Sequence, residues 1–125
     1  MPAESSGTRR NLLIVDDHGP TLRALTARFE HADYRVMPAT NASIALGHLN
    51  EMKPDVALLD INMPGLDGFK LASELQRKVP DCKCFFISAS KSQAQLEKAA
   101  SMNMPILEKP FDGRELLAAL ESAHG

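Results

Sequence analysis

Short apolar runs alternate with segments of helical spacing along nearly the whole chain. The runs are Leu12–Val15, Tyr34–Met37, Val56–Leu59, Cys84–Ile87 and Met104–Leu107. Continuously apolar strands are those covered on both faces, so these runs predict a parallel sheet between two layers of helices. Apolar residues between the runs recur three or four apart, the period of a helix with one buried face. They are Leu22, Leu25 and Phe29; Ile44, Leu46, Leu49 and Met52; Phe69, Ala72, Leu75 and Val79; Leu96, Ala99, Ala100 and Met102; and Leu116, Leu117 and Leu120. Pro20 suits the first turn of the first helix, and Asn41 suits the N-cap of the second. Pro54 and Pro80 stop the second and third helices, because proline cannot continue a helix. Asp112 followed by Glu115 resembles a capping box opening the last helix. The prediction is five strands alternating with five helices. Right-handed crossovers reduce the topology to a single doubly wound five-stranded sheet, order 2-1-3-4-5.

The length of 125 residues is one domain's worth. Residues 1–9 read as a flexible tail, and residues 10–125 as the folded domain, with no internal repeat or linker. Hydrophobic residues at 44% can fill one core, and the formal charge of −2 gives none of the basic excess of a generic nucleic-acid binder. No direct nucleic-acid partner is expected. No run approaches the ~18 apolar residues of a membrane span, and the polar N-terminus has no signal-peptide core, so a cytoplasmic location is expected. Cys82 and Cys84 would point to the same face of a strand. That pair is too strained for an easy disulfide and, with no other cysteine, is a poor metal site. Reduced core thiols are expected.

The chemistry gathers at strand ends. Asp16 and Asp17 follow the first strand, Asp60 closes the third, Ser88 closes the fourth and Lys109 follows the fifth. In a parallel sheet all carboxyl ends lie on one edge, and order 2-1-3-4-5 puts the switch point between strands one and three. Asp16, Asp17 and Asp60 should therefore converge. Three carboxylates in one crevice repel, and a positive partner must offset them. A hard divalent cation fits an oxygen-only set with no His or Cys nearby. Lys109 adds a point cation and Ser88 a hydroxyl donor. Metal, ammonium and hydroxyl around one carboxylate suit a phosphoryl acceptor, with Asp60 the natural nucleophile.

These residues lie in four segments: Leu-Ile-Val-Asp-Asp (13–17), Leu-Leu-Asp-Ile-Asn-Met-Pro-Gly-Leu-Asp-Gly (58–68), Ile-Ser-Ala (87–89) and Glu-Lys-Pro-Phe (108–111). In that order the chain resembles a response-regulator receiver domain of bacterial two-component signalling, over about residues 10 to 122. The resemblance implies a flavodoxin-like fold and a phosphorelay switch. It makes Asp60 the phosphoacceptor, with Asp16, Asp17, Asp60 and the backbone carbonyl of Asn62 holding Mg²⁺, for which Mn²⁺ can substitute. The Asn62 side chain would look toward the site mouth. Ser88 and Lys109 would bind phosphoryl oxygens, and the Lys109–Pro110 bond would be cis. Implied partners are a sensor histidine kinase or histidine phosphotransfer protein, and a second copy through the face of helix four, strand five and helix five. The domain is expected to be no enzyme in its own right, but a switch that promotes its own phosphorylation and dephosphorylation. One position departs from the family pattern: Ile106 stands where many receivers carry the Tyr or Phe of a rotameric switch.

Other classes fit less well. A pseudo-receiver, signalling without phosphate, would usually lack the acceptor, an acid of the pair or the lysine, and all are present. Asp16-Asp17-His18-Gly19-Pro20 is wrong for a flavodoxin phosphate loop. Asp60-Ile61-Asn62 carries Asn where a haloacid-dehalogenase-type phosphatase needs a second Asp. The dinucleotide-binding Gly-x-Gly-x-x-Gly is absent.

Overall fold

The computed structural model describes residues 9–62, 68–89, 92–109 and 113–124. The tail expected over residues 1–9 falls outside them except for Arg9, as do Asp112 of the expected capping box and the Lys109–Pro110 bond. In chain order the elements are β1 (Asn11–Val15), α1 (Gly19–His31), β2 (Arg35–Ala39), α2 (Ala42–His48), β3 (Val56–Asp60), α3 (Gly68–Lys78), β4 (Lys83–Ser88), α4 (Gln93–Ser101), β5 (Ile106–Glu108) and α5 (Gly113–His124). The strands form one sheet in the order β2-β1-β3-β4-β5, and every pairing is parallel.

Side chains of a strand alternate between faces, and here both faces are dry. Leu12, Ile14, Val56, Leu58 and Phe85 pack with Leu22, Leu25 and Phe29 of α1 and Leu116 and Leu120 of α5. On the other face Leu13, Val15, Ala57, Leu59 and Phe86 pack with Ala45 of α2, Phe69, Ala72 and Leu75 of α3, and Ala99 of α4. Two helices cover one face and three the other, so β1, β3 and β4 have no wet side. That explains their uninterrupted apolar runs.

Local details differ from the sequence reading: α2 ends at His48, short of Leu49, Met52 and the stop expected at Pro54, and three further places differ. β2 extends to Ala39 and includes Pro38. It is an edge strand, where a missing backbone N–H costs no ladder bond, and His48 Nε2 donates to the Pro38 carbonyl (2.8 Å). Ile44 is exposed rather than inward-facing. α2 has only seven residues and seats Ala45 against the sheet, which turns Ile44 outward. Leu96 is exposed as well. The edge strand β5 has three residues, too few to cover the first turn of α4, so that helix reaches the core through Ala99 and Met102. The expected caps at Pro20 and Asn41 are present, and Asn41 Oδ1 accepts from Ile44 N–H at 2.8 Å. Ser92 and Gln95 form a capping box on α4.

Candidate functional site

The carboxyl ends of the strands carry the three buried polar residues found among the described ones: Asp16, Asp60 and Ser88. Backbone bonds fix the segments that hold them. Asp16 N–H donates to the Ala39 carbonyl (3.1 Å), Ile61 N–H to Ile87 (3.1 Å) and Lys109 N–H to Ser88 (2.7 Å). The strand ladder therefore runs directly into the site, and residues distant in sequence are set by sheet register.

Asp16, Asp17 and Asp60 each present a carboxylate oxygen, and the three oxygens lie within 4.8 Å of one another. Asp16 and Asp60 are buried, while Asp17 faces solvent. Lys109 Nζ donates to Asp16 Oδ2 (2.9 Å) and to Asp60 Oδ2 (3.1 Å), bridging the first and third strands from the fifth. Burial pushes the Asp60 carboxyl above its ordinary value of 3.8, and the Asp16 charge pushes it further. The Asn62 N–H, 2.8 Å from Asp60 Oδ1, and the Lys109 ammonium pull it back without cancelling the rise. Burial also works against the Lys109 charge, but its bonds to Asp16 and Asp60 outweigh that cost, and its pKa lies above the ordinary lysine value. One ammonium thus pairs with two of the three acids. The remaining negative charge, presented by oxygens alone and open at Asp17, fits a hard divalent cation.

Beside the acids, Ser88 Oγ donates to Asn62 Oδ1 (2.6 Å), and Ala89 N–H donates to the same oxygen (3.2 Å). Asn62 is exposed at the mouth, as expected, and its side chain also ties the end of β3 to the end of β4. Sequence reasoning missed that bond, and it missed His18. His18 caps α1, its Nδ1 accepting from Thr21 N–H (3.3 Å), while its own N–H donates to Asp16 Oδ1 (2.9 Å). The signal was available in part: a polar residue just before Gly19-Pro20 is where an N-cap belongs. Gly68 was missed too. A Cβ there would lie 2.9 Å from the Asp60 carbonyl oxygen, so α3 starts against the Asp60 backbone only because this residue has no side chain. Ile106 pairs with Phe86 across β5 and β4 and is partly buried against the three-helix face.

Five parallel strands in this order, with acids, a hydroxyl and a lysine converging on the carboxyl edge, define the CheY-like form of the flavodoxin-like fold. A family model described as "Response regulator receiver domain" matches residues 12–121, and the chain belongs to that family. It is 37% identical over 118 residues to the "Positive alginate biosynthesis regulatory protein" of Pseudomonas aeruginosa, with 90% of this chain and 46% of that protein covered. It is 32% identical over 114 residues to the "Chemotaxis protein CheY" of Listeria monocytogenes, covering 90% of this chain and 96% of the relative. The chain therefore spans less than half the length of the alginate regulator and nearly all of CheY. Among solved structures, a CheY-like receiver domain from Methanospirillum hungatei superposes with a TM-score of 0.87 at 23% identity, covering 93% of this chain and 94% of that one. A Burkholderia pseudomallei response regulator, described with a phosphorylated aspartic acid, calcium ion and citrate, superposes with a TM-score of 0.82 at 26% identity, covering 89% and 66%.

Proposed function

We propose that this receiver domain is a phosphorylation switch whose acceptor is Asp60. The observation that carries the reading is the buried Asp60 carboxylate, held between the Lys109 ammonium and the Asp16–Asp17 pair. Asp16, Asp17, Asp60 and the backbone carbonyl of Asn62 would hold Mg²⁺ or Mn²⁺. When bound, the cation neutralises charge on the transferring phosphoryl oxygens. In the transfer, an Asp60 oxygen forms a bond to phosphorus as the phosphorus–nitrogen bond of a donor phosphohistidine breaks. The imidazole keeps the electron pair. Lys109 pairs with a phosphoryl oxygen, exchanging its bond to Asp60 for one to the new group. Ser88 has one hydroxyl proton, which Asn62 now takes. Donating it to a phosphoryl oxygen requires that this bond be given up, so phosphorylation loosens the tie between the ends of β3 and β4. That release is what would shift the face of α4, β5 and α5, and so the populations of two conformations.

The donor is a sensor histidine kinase or a histidine phosphotransfer protein, and the same face is where a second copy would pack. No helix of the described residues is long and apolar enough to cross a membrane, and with a formal charge of −2 the chain has no net basic excess. A cytoplasmic switch without direct nucleic-acid contact fits both. The domain needs no catalytic turnover on an outside substrate; it promotes formation and loss of its own acyl phosphate.

The test is labelling with a small phosphodonor in Mg²⁺, alongside NMR of the protein with beryllofluoride. Wild type should label, and resonances around Asp60 should shift. Asp60→Asn should do neither. Equal labelling of that variant would reject the acceptor. A wild-type protein that neither labels nor shifts would instead be a pseudo-receiver, a reading to which Ile106 lends its only support.

A further inference from the structure

At the edge of the molecule opposite the acid site, four sulfur side chains share one cavity. It has a volume of about 600 Å³, and Cys82, Cys84, Met102 and Met104 are among its lining residues. Their grouping follows from the fold. Cys84 is on β4 and Cys82 precedes it by two, so both fall on the same side of the sheet. Phe86 pairs with Ile106, and the Phe86 N–H donates to the Pro105 carbonyl (2.9 Å), so the chain carrying Met104 runs beside Cys84. Met102 is the C-cap of α4 and comes in from above. Cys82, Cys84 and Met104 belong to one apolar cluster, and Met102 packs against it.

The geometry points to a soft monovalent metal site, Cu⁺ by preference, with Cys82 and Cys84 as thiolate ligands and Met102 and Met104 as thioether ligands. Ligand type selects the metal: thiolate and thioether suit Cu⁺, whereas Mg²⁺ and Ca²⁺ take oxygen. The cysteine pair by itself is a poor metal site, but the two methionines double its complement of sulfur donors. Both cysteines are free, and each is less than a tenth exposed, in a wall that opens on solvent. Cys82 Sγ donates to the Lys83 carbonyl (4.0 Å), and the two neighbouring thiols act on one another, Cys84 raising the Cys82 thiol and Cys82 lowering that of Cys84. Binding would release the thiol protons in exchange for the cation. A two-residue disulfide is strained, but a metal bridge has no such torsional demand. Binding would couple the start of β4 to the end of α4, two elements that flank the partner face.

The experiment uses the full reduced chain under anaerobic conditions, titrated with Cu⁺ against a chromogenic Cu⁺ chelator and followed by X-ray absorption at the copper edge. The expected result is one Cu⁺ per chain in an all-sulfur shell, unaffected by excess Mg²⁺. Cys82→Ala with Cys84→Ala should abolish binding. Met102→Leu with Met104→Leu keeps the side-chain volume and should lower the sulfur count and weaken binding. Oxygen ligands in the wild-type shell, or undiminished binding by the cysteine variant, would overturn the site. Unchanged affinity and sulfur count in the methionine variant would overturn the four-ligand assignment. Circular dichroism of each variant separates loss of the site from loss of the fold.

Discussion

Lys109 does two tasks with one ammonium, since it holds Asp16 and Asp60 together and also lowers the cost of ionising Asp60. Lys109→Met keeps the length of the side chain and removes the charge. The acids then face each other uncompensated. We expect a loss of about 1–3 kcal/mol in urea unfolding and roughly 10²-fold slower labelling of Asp60. Tyr34 gives a second residue-scale prediction. It is the chain's one tyrosine, it is buried, and its hydroxyl donates to Glu121 of α5 (2.9 Å). Burial first and this bond second raise its pKa from 10.0 to about 12. A raised acid favours the fold below its ordinary value and loses that contribution as pH climbs through the raised one. Ultraviolet titration should therefore show a single phenol midpoint near 12, and alkaline unfolding should begin between the two values. A midpoint at 10.0 would mean that neither the burial of the ring nor its bond to Glu121 holds in solution. The site's ionisable residues were legible because acids, a serine and a lysine at the ends of apolar strands have few other uses. His18 as a cap and the Ser88–Asn62 bond were not, because they depend on where a side chain points, which residue spacing does not encode.

The strands were the readable elements and the short helices were not. Doubly covered strands leave a continuous apolar run, a pattern that tolerates no error of face. α2 and α4 have seven and nine residues and touch the sheet mainly through Ala45 and Ala99, so their larger apolar residues mislead. In the proposed switch, the element that would decide the output is β5. Ile106 is only partly buried there, and it is no ligand of the acid site. We expect Ile106→Tyr to leave the rate of Asp60 labelling within about threefold, because the ring can swing toward solvent rather than displace Phe86. Self-association of the beryllofluoride-loaded protein, measured by sedimentation, should change by more. If labelling changes and association does not, the chemistry and the output are not separable in this domain.

For the whole molecule, the crowded acids set a link between pH, cation and stability. Asp60 titrates above 3.8 in the fold. Its contribution favours the folded state below that value and is lost as pH rises through the folded pKa, so at neutral pH the site is a standing cost. Two outcomes are expected in thermal unfolding. Mg²⁺ should stabilise the protein at pH 7 by about 2.7 kcal/mol when present at a hundred times its Kd, with the gain shrinking as the solution is acidified. Asp60→Asn should unfold at a higher temperature than wild type at pH 7, and the difference should close in acid. A wild-type protein indifferent to Mg²⁺ at neutral pH would remove the basis for a cation at this site. The overall topology was legible from the sequence because the five runs and the right-handed crossover rule leave few arrangements. The sulfur cavity was not, since it requires knowing that the segment before β5 runs beside β4.

The bridge from Lys109 to Asp16 joins positions 93 residues apart. Synthesis presents Asp16, Asp17 and Asp60 before Lys109, and their counter-charge arrives only when the fifth strand docks against the fourth. Until then the Asp60 carboxylate lacks the ammonium that pairs with the phosphoryl group in the proposed switch, so a domain without its fifth strand is expected to label only slowly. Closing the sheet would thus also complete the chemistry.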